Sequence, residues 1–229
     1  MSVSFRPKQG LRDFQSVIGE IYGLPDDRLY SIWDLLTQQQ RFTMRTLKGI
    51  RKSDPKKIRT NMLIAMSWAM AVANRLHIDA DDEVWKRFPG VCSYCTQRPC
   101  VCKALRPDHR KKVSRAGQAR PHSLAEIQQM FDGIYPAQSR SVADAGIHLA
   151  EEMGEVSEAV HNYLGQHTAK LFEEIAVELA DYISCVFGLA NSQRIDVAKE
   201  LAAFYADGCH VCRKAPCVCS FASVIKLKT

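Results

Sequence analysis

The segment CSYCTQRPCVC, Cys92–Cys102, recurs almost letter for letter as CHVCRKAPCVC, Cys209–Cys219. Both read Cys-x-x-Cys-x-x-x-Pro-Cys-Val-Cys. A motif carried twice, in register with its flanks, constrains a chain to fold as two related units. The two knots lie 117 residues apart, and at that offset Ser67, Asn74, Ile78 and Asp79 fall on Ser184, Asn191, Ile195 and Asp196. Further upstream the offset is 113, and Leu11, Gln15, Ile21, Tyr22 and Leu36 fall on Leu124, Gln128, Ile134, Tyr135 and Leu149. One four-residue length difference between Lys48 and Ile58 reconciles the two. The register predicts repeats over 11–102 and 123–219, within a first unit 1–102 and a second unit 123–229. Residues 103–122 between them are basic, polar and proline-punctuated, as a linker is. The linker reads either as a solvated tether or as a nonspecific phosphate contact. No aromatic residue interleaves its charges, so base stacking is not supported.

Each repeat has a helical pattern. Ser123 followed by Glu126 is a capping box, and Leu124, Ile127, Met130, Phe131 and Ile134 follow at helical spacing. Further helices are predicted from Val142 to Leu164, ending at Gly165, and from Ala169 to Ala190. A fourth follows Asp196 as N-cap. No stretch alternates as a strand does. The expected fold class is all-α, with two four-helix repeats packed antiparallel.

Nine cysteines would suggest disulfides in a secreted chain, whereas tight clusters in a cytosolic one point to metal. The N-terminus lacks the apolar centre of a signal peptide. No run of about 18 apolar residues is present. The expectation is therefore a soluble cytoplasmic protein with no membrane partner. Cys92, Cys95, Cys100 and Cys102 can close one tetrahedral Zn²⁺ shell, and Cys209, Cys212, Cys217 and Cys219 a second. Two structural zincs per chain are expected. Disulfides, reduced thiols, an iron–sulfur cluster and ligands shared between repeats are the alternatives. His210 is set aside as a ligand because its counterpart is Ser93, and Cys185, within a helix, reads as core.

The second repeat concentrates carboxylates. Glu151, Glu152 and Glu155 fall at i, i+1 and i+4 of one predicted helix, and Glu178 and Asp181 at i and i+3 of the next. A solvated helix surface is one reading. The other is a divalent cation held between two faces, because Ile175, Val177, Leu179, Ala180, Ile183, Val186 and Phe187 leave the second helix little wet face. Mg²⁺ suits such a set, since it takes oxygen ligands and retains waters for a substrate phosphate.

EEMGE, followed by ELAD, resembles the EExxE…ExxD pattern of MazG-like nucleoside triphosphate pyrophosphohydrolases. The resemblance covers residues 123–205. It implies an all-α enzyme that cleaves the α–β phosphate bond of a nucleoside triphosphate with Mg²⁺ or Mn²⁺, releasing monophosphate and pyrophosphate. It also implies that Glu151, Glu152, Glu155, Glu178 and Asp181 ligate the metal, one of them orienting or deprotonating the attacking water. Because family members often work as dimers, it implies two tandem MazG-like repeats packed as a pseudo-dimer, each ending in a zinc knot. A further homodimer stays open.

In the first repeat the same five positions are Gln38, Gln39, Phe42, Asn61 and Ile64, so no such metal site is expected there. Its matching stretch is basic, with Arg41, Arg45, Lys48, Arg51, Lys52, Lys56, Lys57 and Arg59. These residues dock the acidic repeat, contact substrate phosphates or bind nucleic acid, the last being least favoured. Candidate substrate contacts are Lys170, Asn191, Arg41 and Arg45. The rival to an enzyme is a zinc-stabilised module that binds nucleic acid or protein, with a vestigial acidic site.

Overall fold

A computed structural model describes residues 3–227, which form helices and contain no strand among the described residues. In chain order the helices are α1 (Leu11–Leu29), α2 (Ile32–Arg51), α3 (Pro55–Arg75) and α4 (Ala80–Arg87), then α5 (Leu124–Ile134), α6 (Val142–Gln166), α7 (Ala169–Ser192) and α8 (Val197–Phe204). A 3₁₀ turn (Ala137–Ser139) precedes α6, and a short α9 (Phe221–Lys226) follows the second knot. The starts are set by local chemistry. Ser31, Ser123 and Ser141 form capping boxes with Asp34, Glu126 and Asp144. Asp54, Asp79 and Asp196 cap α3, α4 and α8 through their carboxylates. The predicted stop at Gly165 is not used: α6 runs on to Gln166, and His167 takes the left-handed conformation at φ 51°.

The hairpins α2–α3 and α6–α7 form the centre. They meet through α2 on α6 and α3 on α7, with α1 laid on α3 and α5 on α7. At Gly146 the approach of α2 to α6 is so close that a Cβ would stand 2.5 Å from Ile50 Cδ1. Across the same seam Gln40 donates to Ser157 at 2.7 Å, and the Thr43 and Tyr182 hydroxyls pair at 2.9 Å. One continuous apolar core contains residues from both sides of the linker, together with Cys92, Cys95 and Cys209.

Positions related by the sequence register make the same contacts twice. Gln15 Nε2 donates to Asn74 at 3.0 Å and to the Ile78 carbonyl at 2.8 Å. Gln128 Nε2 donates to Asn191 at 2.9 Å and to the Ile195 carbonyl at 2.7 Å. The knots cross over. The Cys100 N–H donates to the Ile134 carbonyl at 2.8 Å, and the Cys217 N–H to the Ile21 carbonyl at 2.7 Å. The first knot is thus seated against α5, beyond the linker, and the second against α1, before it. The linker is tied down as well. Arg120 pairs with Asp81 and Asp82, the Lys111 N–H donates to the Tyr94 carbonyl, and the Arg106 and Arg110 guanidiniums lie over the Tyr94 ring.

By length and mean hydropathy α7 qualifies as a membrane span, a property the search for an unbroken apolar run missed, but 72% of its most apolar window is buried inside the molecule. It is the central core helix, and it carries Glu178 and Asp181.

Burial has a measurable cost at Asp26, in the last turn of α1. Its carboxyl is pushed up to about 7 by burial, against the pull of Arg75. The negative end of the helix dipole opposes its charge too. A carboxyl held above its unfolded value of about 3.9 contributes stability fully below that pH, and loses the contribution as pH rises through about 7. Asp26→Asn is therefore expected to match wild type near pH 4 and to be more stable at pH 8 by about 1–3 kcal/mol. Urea denaturation at the two pH values checks it; an equal difference at both would exclude the titration.

Candidate functional site

Glu178 and Asp181 lie on one face of α7, and Glu152 reaches them from α6. One carboxylate oxygen from each lies within 4.8 Å of the others. Glu155, one turn beyond Glu152, is near enough to Glu178 for each to affect the other's ionisation. Glu151 is exposed and stands outside the group. The stripe of Leu149, Met153, Val156 and Val160 faces the core. At about 100° per residue Glu151 sits roughly opposite that stripe, Glu152 flanks it, and Glu155 stands between the two. Of the five acids expected to converge, three share one small volume and Glu155 lies at its edge.

Their charges interact. Burial, then Asp181 and Glu155, push the Glu178 carboxyl up to about 7. Burial raises Glu155 too, with Glu152 adding to it. Asp181 is raised by burial and held back by Arg87, whose Nε donates to it at 2.9 Å while Nη2 takes the second oxygen. Arg87 belongs to α4, before the linker, and both side chains of this pair are mostly buried. Glu152 gives Oε1 to His148 Nε2 at 2.9 Å, while Oε2 is buried with no hydrogen-bond partner. Four carboxylates thus face one guanidinium and one imidazole, and one buried oxygen is left over. That donor set fits a hard divalent cation: all oxygen, negative in sum and partly desolvated.

A cleft of about 160 Å³ opens beside the cluster. Glu152 and Asp181 form its acidic wall, and Arg87, Arg110 and Arg140 line it as cations. Arg110 comes from the linker and Arg140 from the turn before α6. Ser93, Tyr135 and Ser184 supply further polar atoms, and His148 and Cys185 complete the lining. Cys185, expected only as core, is thus also a wall of the cleft, beside His148. The arginines and His148 escaped the sequence reading. His148–Glu152 has the i, i+4 spacing that would have shown the pair; nothing local marks Arg87, Arg110 or Arg140.

The four candidate substrate contacts are engaged differently. Arg41 donates to the Val224 and Leu227 carbonyls, and Arg45 to that of Leu227, so both hold the C-terminal segment. Asn191 is fixed by Gln128 between α5 and α7. Lys170 projects into solvent 3.9 Å from Glu174. None of them lines the cleft.

The matching place before the linker is apolar. Ile64, the counterpart of Asp181, clusters with Phe42, the counterpart of Glu155, and Phe204, the counterpart of Arg87, packs on both. Gln38, Gln39 and Asn61 are buried there.

The knots place four thiols each within reach of one ion. The Sγ atoms of Cys92 and Cys102 are 3.8 Å apart and those of Cys95 and Cys100 are 3.9 Å apart. In the second knot Cys209–Cys219 is 3.9 Å and Cys212–Cys217 is 3.8 Å. Four sulfurs at about 2.3 Å from a tetrahedral Zn²⁺ stand about 3.8 Å from one another. These separations are far too long for disulfides, and all nine cysteines are free. Matched N–H donors reach the sulfurs: Tyr94 to Cys92 and Val211 to Cys209, then Cys102 to Cys100 and Cys219 to Cys217, each at 3.4 Å. Such bonds favour thiolate over thiol. His210 instead pairs with the Tyr22 hydroxyl at 3.0 Å and stacks on Phe204.

Comparison with known proteins gives no match. No family model, curated protein or solved structure aligns with this chain. The functional reading therefore rests on the residues themselves.

Proposed function

We propose that the chain is a Mg²⁺- or Mn²⁺-dependent nucleotide pyrophosphohydrolase, built from two MazG-like four-helix repeats paired within one chain. The observation that carries this reading is the carboxylate cluster of Glu152, Glu178 and Asp181, of which Glu152 and Asp181 form one wall of a cleft lined by Arg87, Arg110 and Arg140. A polyphosphate needs both sides: oxygens that hold a divalent ion, and guanidiniums that bind phosphate oxygens in pairs. The twice-made Gln–Asn contacts and the exchanged knots support common descent of the two repeats, with the second retaining the site. A Zn²⁺ closed by each set of four thiolates stabilises both, and reduced cysteines in this spacing suit the cytoplasm.

Each residue then has a task. Glu152, Glu178 and Asp181 hold the ion, which when bound supplies charge neutralisation and an acidified water. Arg110 and Arg140 bind and orient the triphosphate. Glu155, beside Glu178 but more exposed, accepts the proton of the water that attacks the α–β linkage. The products are a nucleoside monophosphate and pyrophosphate.

The test is a panel of ribo- and deoxyribonucleoside triphosphates with Mg²⁺ or Mn²⁺, scored for pyrophosphate. Glu155→Gln is expected to lower kcat by about 10²–10³-fold while leaving metal affinity nearly unchanged. Glu178→Gln is expected to weaken the metal itself. If no triphosphate yields pyrophosphate, or if neither substitution alters cleavage, the reading fails in favour of a binding module.

A further inference from the structure

His148, Glu152 and Cys185 form a second cluster. Their ligand atoms lie within 4.8 Å of one another. His148 and Glu152 are one turn apart on α6, and Cys185 faces them from α7. All three line the arginine-walled cleft. The oxygen of Glu152 that His148 does not engage is buried and has no hydrogen-bond partner. In the first repeat the matching positions are Leu35, Gln39 and Trp68, so the whole set is absent where the carboxylates are absent.

We propose that His148, Glu152 and Cys185 bind a borderline divalent transition ion such as Zn²⁺, beside the carboxylate cluster and sharing Glu152 with it. The donor chemistry separates the two positions. Carboxylates alone favour Mg²⁺ or Mn²⁺, whereas imidazole with thiolate selects a softer ion. Three protein ligands leave a fourth position open toward the cleft, as at reactive zinc centres and unlike the closed knots. Binding converts the Cys185 thiol to thiolate and frees His148 Nε2 from Glu152, so protons leave as the ion enters. The proposal concerns ion binding and holds whether or not the cleft hydrolyses nucleotides.

Co²⁺ added to protein whose knots are already loaded with zinc tests it, with released zinc measured at the same time so that exchange at the knots is subtracted. One additional equivalent of Co²⁺ is expected, with a thiolate-to-cobalt charge-transfer band in the near ultraviolet. Cys185→Ser should abolish that extra band, and His148→Ala should weaken the extra equivalent at least about tenfold. His148 is half exposed, so its replacement leaves the fold intact even if Cys185→Ser disturbs packing. Excess Mg²⁺ should leave the band in place. No uptake beyond exchanged zinc, or an unchanged band in both variants, overturns the proposal.

Discussion

Replacing Arg87 with methionine should destabilise the zinc-loaded protein by about 3 kcal/mol in the absence of Mg²⁺, and Mg²⁺ should restore most of the loss. Arg87 and Asp181 form a two-point ion pair with each side chain about 85% buried, as exposures of 15% and 14% show. Removing one partner leaves the other charge desolvated, beside Glu178 and Glu152, which already repel it. A divalent cation supplies the missing charge, so the variant should gain more from Mg²⁺ than wild type does. The chain also contains a comparison of its own. Where one site pairs Asp181 with Arg87, the matching place packs Ile64 against Phe204. Buried ion pairs can often be replaced by packed apolar groups at little cost. Arg87→Phe combined with Asp181→Ile should therefore recover most of the stability lost by Arg87→Met, but show no gain from Mg²⁺. Urea denaturation with and without Mg²⁺ decides it. Equal stability of the single and double variants would mean that the pair does not act as a unit.

That contrast explains why the site was only half legible in the sequence. Glu152, Glu155, Glu178 and Asp181 could be read because helical period alone puts them on two faces, and α7 is too apolar to carry acids idly. Glu151 was included because it stands four residues before Glu155 and completes the EExxE pattern, yet it lies roughly opposite the core-facing stripe of α6. Arg87 lies 94 residues from Asp181, so no local pattern connects them. Arg110 resembles any other cation of the linker until the chain is folded over Tyr94. Arg41 and Arg45 illustrate the reverse: a dense basic stretch draws attention, but both donate to carbonyls of the C-terminal segment, Arg41 to Gln38 as well. The helices themselves were well marked, because Ser and Asp caps are short-range signals. The stop of α6 was not, because a left-handed residue need not be glycine.

The largest effect should follow loss of metal from either knot. Cys209→Ser, or a strong chelator, is expected to unfold most of the chain. Structural Zn²⁺ contributes about 10–16 kcal/mol in small metal-dependent folds, as much as the whole stability of a typical domain, about 5–15 kcal/mol. The architecture predicts the form of the transition as well. The first knot is seated on Ile134 and Tyr135, whose hydroxyl reaches Cys92 at 3.5 Å, and the second is seated on Ile21. Neither knot anchors only its own repeat, and one apolar core runs through both. Loss of the second knot's zinc should therefore release α1, on which α3 packs, and carry the rest of the core with it. Zinc release and loss of helical circular dichroism should coincide in one transition. Two separated transitions, or zinc lost with the helical signal intact, would show that the halves are independent. The exchange of knots also bears on the cleft, because Ser93, within the first knot, lines it together with Arg87 just ahead of that knot. A chain that lost the first zinc would lose Arg87 and Ser93 from the cleft, so the proposed conversion of triphosphates should fail at the same chelator concentration as the fold.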